Sequence, residues 1–327
     1  MVFHMLRQMV GDDLFYQSLR RFYKDKIWQQ AGWLDIQHIF EGTCKMDLSW
    51  FFEQWINRAG APFIELGKIE VEKADDGWLT TVEVIQTCPR TLPEEGKPYH
   101  LFLPIQLEVD DETFSTTFAE LKETSNSISI QTKSQPRHIA IDPYCEVFRR
   151  LHRDEIPPTI DLVLGDSDKV IVYPTGGESS SQTAYRKLAE FLRNNNKGVV
   201  KADTEVTEAE LSQKSLFILG GPAENKLTKI FVENLPENFL LKEDSFAVNK
   251  VTYHNKGDIL LVTSKNPKNR NNGIAFFFGL SSDAIETTGS KIYHYGKYSF
   301  LVFDNGKNVD KGTFTVTDTP LQRQLRN

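Results

Sequence analysis

A chain of 327 residues exceeds what one hydrophobic core usually supports, so two or three domains are expected. Its 39% hydrophobic and 25% charged residues are those of a globular protein, and the net charge of −7 argues against a nucleic-acid surface. The best apolar run, Ile274–Phe278, is strand length, far short of the roughly 20 residues that span a bilayer.

Val2, Met5, Leu6, Met9 and Val10 fall on one helical face that begins at the first residues. No charged leader, longer apolar core and small-residue cleavage site appear, so a secretory signal is not expected. No Ser, Thr, Asp or Asn caps the stripe either, and most chain starts are polar. The expectation is that Met1 is an internal methionine or an artificial boundary in a longer element. Gly11 is expected to end this helix and Asp12 to cap the next, which carries Phe15, Leu19, Phe22 and Tyr23. Arg20, Arg21, Lys24 and Lys26 lie in its later turns, where cations suit the helix dipole. Trp28 and Trp33 bracket a glycine loop, and Asp35 caps a helix with Ile36, Ile39 and Phe40, ended by Gly42. Asp47 opens a fourth helix with Leu48, Phe51, Phe52, Trp55 and Ile56 on one face; Gly60 and Pro62 stop it. It reads as the joint between two domains. These faces are more aromatic than four short helices can bury among themselves, so part of their packing partner is expected to be missing.

After Pro62 the period switches to two. Ile69 and Val71 alternate with Glu70 and Glu72, Asp75-Asp-Gly77 signals a turn, and Thr80, Val82 and Val84 form the return strand. Leu101 to Val109 alternate strictly; an Asp110-Asp-Glu turn leads to a strand at Phe114–Phe118, and Ile128, Ile130, Ile139 and Ile141 complete the set. About seven short strands in this span predict a β-sandwich. Glu155–Thr159 is a linker. Beyond it, apolar runs at Lys169–Tyr173, Val199–Val200, Leu216–Leu219, Ile259–Val262, Ile274–Phe278 and Phe300–Phe303 are of buried-strand type. Helical segments at Thr183–Arg193, Glu208–Gln213, Glu224–Glu233 and Asp283–Thr288 lie between some of them. The alternation predicts a three-layer α/β domain with a mostly parallel sheet. The fold class is therefore multidomain α+β: helical residues 1–62, a sandwich over 63–155 and the α/β domain over 156–327, with a polar, frayed tail at Pro320–Asn327.

Cys44, Cys88 and Cys145 have no C-x-x-C spacing and read as three ordinary thiols, which leaves the compartment open. Pro174-Thr175-Gly176-Gly177 and Gly220-Gly221-Pro-Ala-Glu-Asn225 each follow a strand and lead into a helix. The first lacks the Gly-Lys-Ser/Thr of a P-loop and the glycine spacing of a dinucleotide fingerprint. Turns with helix caps are the plainer account of both loops. If both face one end of the sheet, Thr175, Gly176, Gly177, Gly220, Gly221 and Asn225 frame a ligand pocket. The basic loop Lys265–Asn272 lacks the aromatic residues that stack nucleic-acid bases. Ser179–Ser181 has no Gly-x-Ser-x-Gly elbow around it.

Met1-Val-Phe-His-Met-Leu-Arg-Gln-Met-Val-Gly-Asp-Asp-Leu-Phe15, Leu19-Arg20, Tyr23, Asp47–Trp55 and Gly60-Ala-Pro62 together resemble the M1 family of zinc aminopeptidases. The likeness is to the helices that close that family's catalytic domain, downstream of its metal site and of the Tyr-x-Lys-Gly segment whose tyrosine stabilises the tetrahedral intermediate. It implies that the following strands are the family's small sandwich domain; the familiar eukaryotic members then carry a large helical domain, where this chain turns to α/β. In a complete enzyme the resemblance implies zinc, a peptide substrate and hydrolysis of amino-terminal residues. Such chemistry needs His-Glu-x-x-His on one helix, because histidines four apart face one metal. Here the histidines stand at 4, 38, 100, 138, 152, 254 and 294, no two four apart, and the family's Gly-x-Met-Glu-Asn segment is absent. His4, beside the Met5–Leu6 stripe, reads as a packed helix histidine. No catalytic, cofactor-binding or metal residue is therefore assigned, and the expected partner is the missing amino-terminal part of the peptidase. The alternative is a non-catalytic binding or scaffolding protein with its site on the α/β domain.

Overall fold

The computed structural model describes residues 1–88, 96–109, 113–316 and 319–325. The Asp110–Glu112 turn lies outside the described residues. Two compact units emerge, Met1–Glu155 with Asp318–Asn327, and Ile156–Thr317. No helix among the described residues is long and apolar enough to cross a membrane. The architecture is multidomain α+β, with antiparallel sheets in one unit and a mixed seven-stranded sheet in the other.

In the first unit the helices are α1 (Val2–Val10), α2 (Asp12–Lys26), α3 (Trp33–Cys44) and α4 (Ser49–Phe52), the last continuing as a π turn over Glu53–Asn57. Their ends differ from expectation in detail. Gly11 occupies the cap position of α2, and Asp12 pairs with Arg7 at 2.8 Å. Asp35 lies inside α3 and accepts the Gly32 amide at 2.9 Å, and α3 runs past Gly42 to a left-handed Lys45. Asp47 accepts the Ser49 amide at 2.9 Å, but the cap position of α4 is Leu48, one residue later than expected.

The strands are β1 (Phe63–Ala74), β2 (Gly77–Thr87), β3 (Leu101–Glu108), β4 (Phe114–Leu121), β5 (Ser125–Thr132) and β6 (His138–Ile141). One sheet has the order β1-β2-β5, and the other carries β6-β3-β4. Their alternating apolar residues, Val82, Val84 and Ile130 from one and Leu103, Ile105 and Ile139 from the other, meet in a single core. Leu6, Phe40, Phe51 and Trp55 belong to that same core, so the helical segment is continuous with the sandwich and α4 is no joint between separate domains.

Part of the expected frayed tail is a strand. β17 (Gln322–Gln324) pairs antiparallel with β6, and Leu321 is fully buried in the sandwich core. The last residues therefore leave the α/β domain to which the sequence assigned them. Arg149 further pins the end of the sandwich, with Nε donating to Asp142 Oδ2 at 2.7 Å and its two terminal nitrogens to Glu155 at 2.8 and 2.7 Å.

The second unit contains α5 (Ile160–Leu164), β7 (Val170–Tyr173), α6 (Ser179–Asn196), β8 (Val199–Ala202), α7 (Glu208–Gln213), β9 (Leu216–Leu219) and α8 (Lys226–Phe231). It continues with β10 (Phe239–Leu241), β11 (Phe246–Val248), β12 (Val251–Tyr253), β13 (Asp258–Asn266), β14 (Asn269–Gly279), α9 (Ser282–Thr288), β15 (Phe300–Asp304) and β16 (Lys307–Gly312). The main sheet runs β16-β15-β13-β14-β9-β7-β8. Only β14-β9, β9-β7 and β7-β8 are parallel; the other three joints are antiparallel, which corrects the expectation of a mostly parallel sheet. The reason is that β13 and β14 join through a turn at Pro267-Lys268 and β15 and β16 through Asn305-Gly306, both too short for a crossover.

Alternate residues of the central strands serve opposite faces. Ile171, Phe217, Leu261 and Phe277 pack against α5, α6 and α9, while Val172, Ile218, Leu260 and Phe276 pack against α7, α8 and the small β10-β11-β12 sheet. These are the three layers the apolar runs predict.

Candidate functional site

β7 passes through α6 to β8 on one side of it, and the chain then returns through α7 to β9 on the other side. The strand order thus reverses at β7, the place where open α/β sheets form a crevice beyond the strand ends. The loops after β7 and β9 meet there, the Gly176 amide donating to the Glu224 carbonyl at 2.9 Å. Glycines accommodate two close contacts here, one between the loops and one against β14. Gly177 has φ +81°, and a Cβ on it would sit 2.9 Å from Glu224 Cγ; one on Gly221 would lie 2.4 Å from the Phe278 ring.

The six loop residues singled out in the sequence have distinct places. Thr175 donates its hydroxyl to Asp203 at 2.7 Å. Asn225 is buried, caps α8 by accepting the Leu227 amide at 2.9 Å, and donates to the Leu219 carbonyl at 2.8 Å. Both are thereby committed to holding the loops. Gly177 borders a crevice of about 720 Å³, whereas Thr175, Gly176 and Asn225 border a neighbouring one of about 500 Å³. Gly220 and Gly221 form the loop backbone between Leu219 and Pro222 and line neither.

Glu224 borders both crevices, and the sequence does not single it out. Its carboxylate accepts the Gly221 amide at 2.8 Å and lies 3.3 Å from the Tyr185 hydroxyl. Burial raises the Glu224 pKa above the ordinary carboxylate range, the nearby Glu178 charge adding to it, against the two hydrogen bonds. Tyr185 is fully buried and its hydroxyl also contacts the Gly279 carbonyl at 3.2 Å and accepts the Gly279 amide at 3.1 Å. Burial holds this phenol well above its usual pKa, so it stays neutral. His254, Lys256 and Asp283 complete the polar wall of the larger crevice. A half-buried carboxyl at the strand-order reversal makes Glu224 the candidate functional group of these crevices. Its only sequence signal is a glutamate in a strand-to-helix loop, a pattern common to ordinary turns.

The first unit holds a smaller apolar cavity of about 270 Å³ between Met5, Met9, Trp50, Phe51, Phe102 and Phe118. At its edge His100 stacks on Trp50 with centroids 4.0 Å apart and bonds Glu120 at 2.6 Å.

Among the described residues, no group of three or more His, Cys, Asp or Glu side chains is placed to hold a metal. The histidines that lie near a carboxylate or carbonyl each have a different partner. His4 is 3.6 Å from Glu146, His138 3.9 Å from Glu108, and His152 2.6 Å from the Ile64 carbonyl. In the basic loop, Lys268 pairs with Glu208.

No protein-family model matches the chain, and no curated protein sequence matches it. Among solved structures it is similar to an aminopeptidase A from Legionella pneumophila, crystallised in complex with aspartic acid, at 14% identity and a TM-score of 0.34. The match covers 43% of this chain and 15% of that protein, so this chain spans a small part of the relative's length.

Proposed function

We propose that this chain is the carboxy-terminal portion of an M1-type zinc aminopeptidase. In the complete enzyme, zinc-activated water would hydrolyse amino-terminal residues from peptides. The residues in hand would supply packing and one wall of the substrate channel, and the zinc ligands and catalytic tyrosine would come from the preceding part. The motif residues of α1 to α4 support this reading. The observation that carries it is the apolar surface of α1–α3. Trp28 is 97% exposed and Tyr23 and Leu34 are each 68% exposed, with Phe3 and Trp33 also at the surface, 5.7 Å apart. Burying side chains of this size is worth about 1.5–3 kcal/mol each, so such a surface is expected to have a protein partner.

The test is immunoprecipitation from the source cells with an antibody to the α/β unit. A species well above 37.5 kDa, carrying chelator-sensitive release of an aminoacyl chromophore, is expected, while the purified 327-residue chain alone turns over none. A sole species of 37.5 kDa without such activity would sink the proposal.

A second reading assigns the chain to a non-catalytic binding protein and rests on the Glu224–Tyr185 pair at the crevice. Under it, a ligand that raises the melting temperature of the α/β unit loses that effect in Glu224→Ala.

A further inference from the structure

The edge of β6 is covered by a very small piece of chain. Gln322, Arg323 and Gln324 pair with Ala140, Ile139 and His138, and two flanking bonds extend the ladder. The Ile141 amide donates to the Leu321 carbonyl at 2.9 Å, and the Leu325 amide to the Arg137 carbonyl at 2.7 Å. Leu321 and Leu325 turn onto the inner face, while Arg323 between them stays exposed. Leu321 is 0% exposed, Leu325 packs against the core, and Arg323 donates to the Gly67 carbonyl at 3.3 Å. That carbonyl sits at the bulge between Leu66 and Ile69, where β1 departs from regular pairing with β2. Gln322 and Gln324 point the other way and are at most half-buried.

These contacts are those of strand addition, in which main-chain bonds hold an extended peptide and alternate side chains fill specific places. Removal of the segment would leave β6 as an open edge with unpaired amides and carbonyls and an empty leucine site. Apart from this pairing, the described residues between Gly312 and Leu321 form no helix or strand. A three-residue strand fed by irregular chain belongs to the low-stability end of a fold.

We propose that the β6 edge is a strand-addition site for a Leu-x-Arg-x-Leu segment, that Leu321–Leu325 is its tethered ligand, and that the same segment of a second copy of this chain can take its place. This site is separate from the peptidase reading and does not depend on it. Occupancy in cis dominates in a single copy, because the tether supplies a high effective concentration. Crowded copies exchange segments, the low-cost route to a dimer.

The test places a specific protease site after Val316, cuts the folded protein and adds a fluorescent peptide of Thr319–Leu325. Saturable one-to-one binding with release of the resident segment is expected. The uncut protein should bind at least about a hundredfold more weakly, and a peptide bearing Leu321→Asp about tenfold or more weakly than the parent peptide. In parallel, the uncut Leu321→Asp variant, verified as folded by its melting curve, should take up the parent peptide. The proposal is overturned if the cut protein keeps its segment without exchange, unfolds on cutting, or binds the Leu321→Asp peptide equally well. A folded Leu321→Asp variant that ignores the parent peptide also overturns it.

Discussion

The Lys169 ammonium lies 2.8 Å from the carbonyl oxygen of Asn196, and its two further donors reach the Leu164 and Asp166 carbonyls at 3.0 and 2.9 Å. The side chain is 0% exposed. Leu164 and Asn196 are the last residues of α5 and α6, where carbonyls have no helical partner and the dipole is negative. Burial lowers the lysine pKa, yet three carbonyls use all three of its donors. Lys169→Met should destabilise the α/β unit by about 3 kcal/mol, because the Asp166 and Asn196 carbonyls lose their side-chain donor and the Leu164 carbonyl keeps only that of Asn196 Nδ2. Lys169→Arg should not rescue it, since a planar fork cannot reproduce the three directions. Urea unfolding followed by far-UV circular dichroism measures both.

Arg149 and its two carboxylates make the corresponding anchor in the sandwich unit, with the Arg149 and Asp142 side chains fully buried. Burial disfavours the charged Glu155 carboxylate, but the guanidinium and the His152 amide hold its pKa below the usual range. Arg149→Met should cost about 3–5 kcal/mol, because two buried carboxylates lose their countercharge. All five tryptophans, at 28, 33, 50, 55 and 78, lie in this unit. The tryptophan-detected transition should therefore move in Arg149→Met and stay in place in Lys169→Met.

Glu210 and Glu224 should pull stability in opposite directions with pH. A hydrogen bond from Lys201, then one from the Thr207 amide, lowers the Glu210 pKa to about 2. Its contribution is present above the ordinary carboxylate range and is lost as pH falls toward about 2. Glu224, raised by burial, contributes most below that range, and the contribution is lost as pH rises through its folded value. Between about pH 4 and pH 7, Glu224→Gln should gain stability relative to the parent chain. Below about pH 4, Glu210→Gln should show the shallower loss. Melting temperatures across that pH series decide both signs.

The surface of α1–α3 should behave as an interface rather than a core. Trp28→Ser with Leu34→Ser should leave the melting temperature of the purified chain within about 2 °C, since exposed sites change stability by no more than about 0.5 kcal/mol. The same pair should lower the fluorescence of a bound hydrophobic dye and, under the peptidase proposal, weaken association with the amino-terminal portion that it requires. A large loss of stability would instead assign these residues to the core of the unit itself.

The local elements are legible because helix and strand periods are written in adjacent residues. The stripe Val2–Val10, the helix Glu208–Gln213 and the apolar runs of the central sheet all appear where spacing places them. The meeting of the Gly176 and Gly220 loops also follows from strand-loop-helix order. Glu224 is not legible, since nothing in its neighbours says that its carboxylate will be buried beside a phenol from α6. Residues 239–253, which carry β10 to β12, escape for a related reason: three-residue strands are too short to display a period.

Composition and periodicity by themselves determined the α+β class, the sandwich, the layered α/β unit and the absence of a His-Glu-x-x-His helix. Tertiary structure alone decided that β13 and β14 pair antiparallel, that Lys169 is buried, that α1–α4 share the sandwich core and that Leu321 returns to β6. The physical reason is range. A period reports which face of an element is apolar, whereas pairing depends on which distant segment fills that face with the least unsatisfied backbone and empty volume.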